Sequence, residues 1–344
     1  MRVTLNDIAR KVGVTKAAVS VALRGKPGVS EGMRETIRRV AAEMGYVPDP
    51  ILQRLTSYRG GGKTADFQSA IAWINHWPNS SQLRAFREFE QYFRGASAAA
   101  RRQGYRLEEF IWPSGMSAAQ AERELVQLGV LGLLLPPHPP NVDWGGFAWT
   151  RFSLIRFGLS VRKPDSNLVS ADHQRAIIMA MHRIFGHGYR RIGLVYNQAH
   201  DRSMGGGYLG GFLYAHKLLA GLELVPPLDS EISTARAAAG SRRRFEKWMA
   251  RYQPEAVLTA RPETISFLRE LGLRVPQDVA VAGTSIHDIE VDAGVDQCPG
   301  DIGQIAAEML IKQISLNERG EPPEPARILV ESRWRDGGSL PGRG

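Results

Sequence analysis

The stretch TLNDIARKVGVTKAAVSVAL, residues 4–23, decides how the rest of this 344-residue chain is read. Leu5, Ile8, Ala9 and Val12 fall on one face of a first helix, at amphipathic spacing. Gly13 follows, a residue type that enters a left-handed turn without a Cβ clash. Thr15 caps a second helix by accepting an orphan amide hydrogen bond. That helix runs from Lys16 to Leu23, with Ala18, Val19, Ala22 and Leu23 turned inward. Two short helices cross closely only where the contact residue on the first is small. Ala9 meets that need, Gly13 stands at the turn, and the β-branched Val19 plugs the gap between the helices. The register predicts a helix-turn-helix rather than an ordinary helical hairpin.

Working outward, Ser30 caps a third helix that carries Met33, Ile37, Val40, Ala41 and Met44 on one face and ends at Gly45. The prolines at 48 and 50 then hold the chain extended. Residues 1–60 contain eleven Lys/Arg against five Asp/Glu, so about two-thirds of the chain's net charge of +9 lies in a sixth of its length. A basic helix-turn-helix head points to a polyanionic partner, double-stranded DNA.

Residues 49–58 read as a two-turn helix, with Asp49 as cap and Pro50 at the first helical position. So short a helix is not stable alone. Gly60-Gly61-Gly62-Lys63-Thr64 superficially matches the end of a phosphate-binding loop. The motif needs a glycine where Ser57 stands and a strand before it, so the segment reads as a linker.

From residue 67 strands and helices alternate. Strands are expected at 70–74, 105–111, 130–135 and 152–157, with helices at 86–102 and 118–128 between them. The pattern repeats with strands at 191–196, 256–259 and 279–282 and helices at 176–185, 209–219 and 263–271. The fold class expected is a small all-α helix-turn-helix head followed by an α/β body of two doubly wound lobes. The domains expected are 1–48 (DNA-binding), 49–66 (hinge helix and linker) and 67–338 (effector-binding and dimerisation).

The runs Thr4–Ala9, Gly13-Val14-Thr15, Ala18-Val19-Ser20, Val29-Ser30 and Gly45-Tyr46-Val47-Pro48 resemble the lactose-repressor (LacI/GalR) family. Gly186–Gly193 and Gly272–Val281 resemble its periplasmic-binding-protein-like body, and 304–314 resembles its late helix. The resemblance runs nearly end to end. It implies a homodimer that places each second helix in the major groove of a palindromic operator, most simply as a repressor. It implies base readout by Lys16, Ala17 and Val21. Lys16 can donate to guanine and Ala17 can touch a thymine methyl, while Val21 is restricted to apolar readout. Thr15, Ser20 and Asn6 suit phosphate contacts, which position without specifying. The hinge is implied to fold on DNA and to wedge Leu55 into the minor groove. Leu52 and Asp49 depart from the family, which usually has a small residue and an Asn there.

A small-molecule effector is expected between the lobes, at the carboxyl ends of the strands. Candidate contacts are His76, Trp77, Asp172, Tyr208, Arg261, Ser285 and Gln297. Trp77 can stack on a ring and Arg261 can hold a carboxylate or phosphate. Sugar-binding members usually carry an Arg where Tyr208 stands, Asn-Asp where Arg261-Pro262 stand and an Asp where Ser285 stands. The expected effector is therefore not a simple neutral sugar.

Catalysis is not expected. Gly283-Thr284-Ser285-Ile286-His287 lacks the second glycine of a nucleophile elbow. The eight histidines show no metal-ligand spacing, and Met204–Gly207 lacks a dinucleotide fingerprint, so neither metal nor cofactor is expected. A solute receptor without DNA function is the rival reading, and the basic head counts against it. One cysteine, Cys298, excludes an internal disulfide, and no stretch reads as a signal peptide or membrane span, so the expected location is the cytoplasm. The tail after Trp334 has no heptad, so a dimer is expected rather than a tetramer.

Overall fold

The computed structural model describes residues 3–23, 28–44, 46, 70–139 and 142–343. The hinge and linker, Leu52 and Leu55 included, lie outside the described residues, as does Gly45. Residues 1–64 and 65–344 form two units.

In the head, α1 (Leu5–Val12), α2 (Lys16–Leu23) and α3 (Glu31–Glu43) surround one small core. Ile8, Ala9, Val19, Ala22, Ile37, Val40 and Ala41 are buried in it. Gly13 takes φ 77°, so the turn after α1 uses the freedom only glycine has at no steric cost. The Asp7 carboxylate accepts hydrogen bonds from the Thr4 amide (2.9 Å) and hydroxyl (2.7 Å), and these lower its pKa. Thr15 Oγ1 accepts from the Ala18 amide at 3.1 Å and so caps α2. Met33 departs from the expected apolar stripe: it is exposed, because the core closes on Ile37, one turn further along α3.

The body holds two sheets. The first half of the chain runs β1 (Ala70–Asn75), α4 (Ser81–Ala85), α5 (Arg87–Arg102), β2 (Arg106–Ile111), α6 (Ala118–Gln127), β3 (Val130–Leu135), β4 (Ser153–Phe157) and β5 (Leu168–Ala171). It continues with α7 (His173–Gly186), β6 (Ile192–Tyr196), α8 (Gln198–Ser203), α9 (Gly207–Leu218), β7 (Leu228–Asp229), α10 (Ala235–Tyr252), β8 (Ala256–Thr259), α11 (Glu263–Glu270), β9 (Ala280–Gly283) and β10 (Gly294–Asp296). It ends with α12 (Pro299–Leu316), β11 (Arg327–Val330) and β12 (Arg333–Arg335).

Lobe 1 has strand order β11-β5-β4-β3-β1-β2, and lobe 2 has β12-β10-β9-β8-β6-β7. Pairing is parallel except between β10 and β12. The chain therefore passes between the lobes three times: from β5 to α7, from β10 to α12 and from β11 to β12.

Every residue of β1 is buried, as a parallel strand covered on both faces requires. Ile71 and Trp73 face the core beneath α5 and α12, while Ala70, Ala72 and Ile74 face the one beneath α6. In lobe 2, α7 and α9 cover one face and α10 and α11 the other. Helices α5 and α12 cross through glycines. A Cβ on Gly95 would collide with the Gly300 carbonyl, and one on Gly303 with the Tyr92 carbonyl.

The expected helix over 86–102 begins one residue later. Phe86 is extended (φ −84°, ψ 114°) and caps α5, and the residue is 40% exposed. Helix α10 and strands β5, β7, β10, β11 and β12 were not anticipated. Residues 339–343 lie against lobe 2: Leu340 is buried, and Tyr189 Oη donates to the Pro341 carbonyl at 2.7 Å.

Candidate nucleic-acid interface and interlobe site

On α2 the residues divide by face. Val19 and Ala22 are buried in the head core, and Ala18 is partly covered. Lys16, Ala17, Ser20 and Val21 share the opposite face, i, i+1, i+4 and i+5 apart. Thr15, Lys16 and Ala17 are exposed, whereas Ser20 and Val21 are half-buried. Val21 Cγ1 lies near Gly28, so part of its surface is already covered there. Asn6 is exposed on the first turn of α1. The Thr15 hydroxyl accepts from its own helix, which leaves its proton to donate to an anionic oxygen.

In the body, strands β1, β3 and β4 of lobe 1 and β6, β8 and β9 of lobe 2 end toward the interlobe contact. In each sheet the strand order reverses beside the first strand, at β1 and at β6, and ligands of doubly wound sheets bind at such points.

The structure brings Tyr208, Ser285 and Gln297 together. Tyr208 is buried, its amide donates to Asp201 Oδ1 (2.9 Å), and its hydroxyl receives Gln297 Nε2 at 3.4 Å. The same Gln297 amide donates to the Thr284 carbonyl (3.0 Å). Ser285 faces Glu88 of lobe 1. Around them the lobes are tied directly. The Arg87 amide donates to Asp288 Oδ1 (2.8 Å), and Gln91 Nε2 meets His287 Nδ1 (2.8 Å), whose Nε2 reaches Asp296 (3.0 Å).

Burial pushes the Glu88 carboxyl up to about 8. Asp288 and Asp296 push it the same way, and the Ser285 hydroxyl opposes them. Glu88 Oε1 is buried without a hydrogen-bond partner. The sequence reading missed Glu88, Gln91, Tyr92 and His287. The signal for Glu88 was available: it sits at i−4 and i−8 from Tyr92 and Ala96, a carboxylate on the inward stripe of α5.

Arg261 stands apart from this group. Its Nε donates to Glu263 Oε1 at 2.9 Å, and the same oxygen accepts from Ser230 Oγ at 2.9 Å. The guanidinium that was expected to hold an anion is thus neutralised within its own lobe. Asn197 and Glu231 (3.2 Å apart) extend this polar rim, and burial and Arg261 hold the His200 imidazole below its ordinary pKa.

Trp77 borders the contact, with its ring 5.9 Å from Phe86 and its Nε1 donating to the Pro137 carbonyl (3.0 Å). His76 turns away from Tyr208 and Ser285. It stacks on Trp112 (4.6 Å), with both ring nitrogens at the carbonyl oxygens of Trp112 (2.7 Å) and Asp143 (3.0 Å). His138 is next to it. Burial lowers its pKa to about 4, so it is neutral and accepts the His76 amide at 3.0 Å. Asp172 caps α7 by accepting the Arg175 amide (3.0 Å). A recess of about 370 Å³ opens beside the interlobe ties, lined by Arg87 on one side and Ile265, Arg269 and Asp288 on the other.

Among the described residues no group of three or more His, Cys, Asp or Glu could hold a metal ion. No helix there is long and apolar enough to cross a membrane.

Residues 4–49 match the family described as "Bacterial regulatory proteins, lacI family", and residues 182–340 match "Periplasmic binding protein-like domain". The chain is 26% identical over 354 residues to the HTH-type transcriptional regulator CelR of Thermobifida fusca, covering 96% of each chain. It is 24% identical to KdgR of Bacillus subtilis, covering 96% of this chain and 95% of that one. Among solved structures, a CelR–cellobiose complex aligns with TM-score 0.58 at 23% identity, covering 98% and 100% of the two chains. A lac repressor dimer bound to operator and an anti-inducer aligns with TM-score 0.54 at 18% identity, covering 99% and 100%.

Proposed function

The chain belongs to the LacI family of bacterial DNA-binding transcription regulators, which are not enzymes, and from that premise we propose that it is a homodimeric repressor of a palindromic operator. One observation carries the reading. The apolar face of α2 is used by the head core, while Thr15, Lys16 and Ala17 at its N-terminal end are left exposed. That end of a second helix is the part that reaches base edges in the major groove. Lys16 then donates to a guanine, Ala17 meets a thymine methyl and Val21 adds apolar contact. Thr15, Ser20 and Asn6 hold phosphates, and Leu55 of the hinge enters the minor groove. The working division is a head at 1–48, a hinge and linker at 49–66 and a body at 67–338. The site of action is the chromosome, in the cytoplasm.

An effector between the lobes biases the dimer, and Trp77, Tyr208, Arg261, Ser285 and Gln297 are the side chains proposed to meet it. His76 and Asp172 act through what they hold in place, the Trp112 loop and the start of α7. The test is selection of bound duplexes from a random pool by the full-length chain. An inverted repeat of two half-sites is expected. A single unpaired half-site overturns the dimer, and no enrichment overturns sequence-specific binding.

A further inference from the structure

The first turn of α5, in lobe 1, is held from lobe 2. Its N-cap residue is Phe86, whose side chain makes no capping hydrogen bond, and a helix start leaves amides that need partners. Asp288 of lobe 2 takes the role. Its Oδ1 accepts the Arg87 amide at 2.8 Å, a carboxylate placed where the helix dipole favours one. One turn further along, Gln91 meets His287. The His287 Nε2–H donates to Asp296 Oδ1 (3.0 Å), which leaves Nδ1 to accept the Gln91 amide at 2.8 Å. Glu88 sits between these two ties, and every element packed around it brings a polar group. Tyr208 comes from α9, Ser285, His287 and Asp288 from the loop after β9, and Asp296 from β10. Its own helix adds Tyr92 and the exposed Arg87, while Asp301 on the first turn of α12 pairs with Arg333 at 3.4 Å. Burial works against it, but the His287 N–H and the Cys298 amide hold the Asp296 carboxyl below its ordinary range, so it stays charged. For Glu88 the Ser285 hydroxyl is the hydrogen-bond donor, and Oε1 is buried with no partner. A neutral carboxyl can be kept there. An ionised one is desolvated beside another carboxylate.

We propose that the first turn of α5 and the 285–288 loop form a proton-sensitive latch, which holds the two lobes together while Glu88 is protonated and lets them part when it ionises. Parting hydrates Glu88, releases the Arg87 amide from Asp288 and uncovers Tyr208, Ser285 and Gln297. The latch thus governs when the interlobe site can be entered. The sign follows from linkage. With the latch closed Glu88 keeps its proton up to about 8, and once hydrated it gives the proton up near 4.5. The closed state therefore binds the extra proton between those values. The ratio of open to closed chains rises with pH across that window, by up to about tenfold per unit, and levels off above it.

The experiment measures the separation of the lobes directly, in the full-length chain, by pulsed electron paramagnetic resonance. Spin labels are placed on Arg123→Cys in α6 of lobe 1 and Lys247→Cys in α10 of lobe 2, both exposed positions, while Cys298 is buried. The labelled chain is diluted into an excess of unlabelled chain, so that distances within one chain dominate. Distances are recorded at about pH 5, 6.5, 8 and 9, which span the window. A second, longer distance is expected to gain population up to about pH 8 and then to hold steady. Glu88→Gln is expected to keep the shorter distance at every pH. Asp288→Ala, which removes the cap across the lobes, is expected to raise the ratio of longer to shorter distance about fivefold at low pH, with a shallower pH dependence. A single unchanged distance in the wild type overturns the latch. A pH-dependent distance that survives in Glu88→Gln also overturns it, because the proton then belongs to another group. Neither result touches the operator reading, since no DNA is present.

Discussion

Lys16 and Glu88 show how differently a charge acts at the surface and inside. Lys16 is exposed at the first position of α2, with no ion pair to any of the described residues. If it donates to a guanine, Lys16→Ala costs roughly 1–3 kcal/mol on the best operator and relaxes preference at one base pair per half-site. Equal weakening on every sequence tested would show a phosphate contact instead. Glu88 is held between the lobes with no cation among the groups that dominate its shift, so its neutral form is favoured. In the folded chain it keeps its proton up to about 8, whereas a free glutamate carboxyl gives it up near 4.5. Between those values the folded state binds the extra proton, so stability falls as pH rises through the window, and the loss is complete above 8. Glu88→Gln removes the titration while keeping the shape. Melting temperatures measured at about pH 5, 7 and 9 should fall by several degrees more for the wild type than for the variant. Parallel curves for the two proteins would mean that Glu88 is ionised in the folded state.

At the scale of elements, the crossing of α5 and α12 depends on the absence of side chains. The two backbones approach so closely at Gly95 and Gly303 that one added methyl meets a carbonyl of the other helix. Gly95→Ala is expected to cost about 2–3 kcal/mol in denaturant unfolding, because overpacking cannot relax against backbone. Gly210, in α9, has nothing within 4 Å of an added Cβ, and Gly210→Ala is expected to stabilise by about 0.5–1 kcal/mol. Equal effects at the two sites would mean that the helices slide apart freely. Elements whose buried face repeats at a helical or strand period were legible in the sequence: α1, α2, α5, β1, β3 and β8 lie within a residue or two of expectation. Helix α10 shows the limit. Its buried set, Ser241, Phe245, Trp248 and Met249, is helically spaced but sits among six cations that mask it. Strands β7, β10 and β12 have two or three residues each, and β11 has four alternately exposed ones, too little pattern to stand out locally. They exist because a neighbouring strand offers unpaired amides and carbonyls.

At the scale of the whole molecule, the interlobe contact is occupied by the chain's own side chains. Glu88 and Tyr92 from lobe 1 meet Tyr208, Ser285 and Gln297 from lobe 2, and Arg261 is already paired. Simple neutral monosaccharides are therefore expected to leave the melting temperature unchanged. A ligand bound at a hundred times its Kd would stabilise the fold by about 2.7 kcal/mol, well within reach of a thermal scan. A clear shift with a neutral monosaccharide would show that these groups move aside for hydroxyls. By itself the sequence determined the helix-turn-helix head, the concentration of charge there and the alternation that makes two doubly wound lobes. These are local matters: a turn glycine, a small residue at a crossing, a period of two or of 3.6. Only the tertiary structure decided which side chains share the interlobe space. Chain segments some 200 residues apart meet there, as when Arg87 bonds Asp288 and Gln91 bonds His287. Three crossings between the lobes fold those segments together, and no local period records that pairing. Within each lobe, His76 turns onto Trp112 and Arg261 onto Glu263, because a buried polar group takes the nearest partner that replaces its lost water.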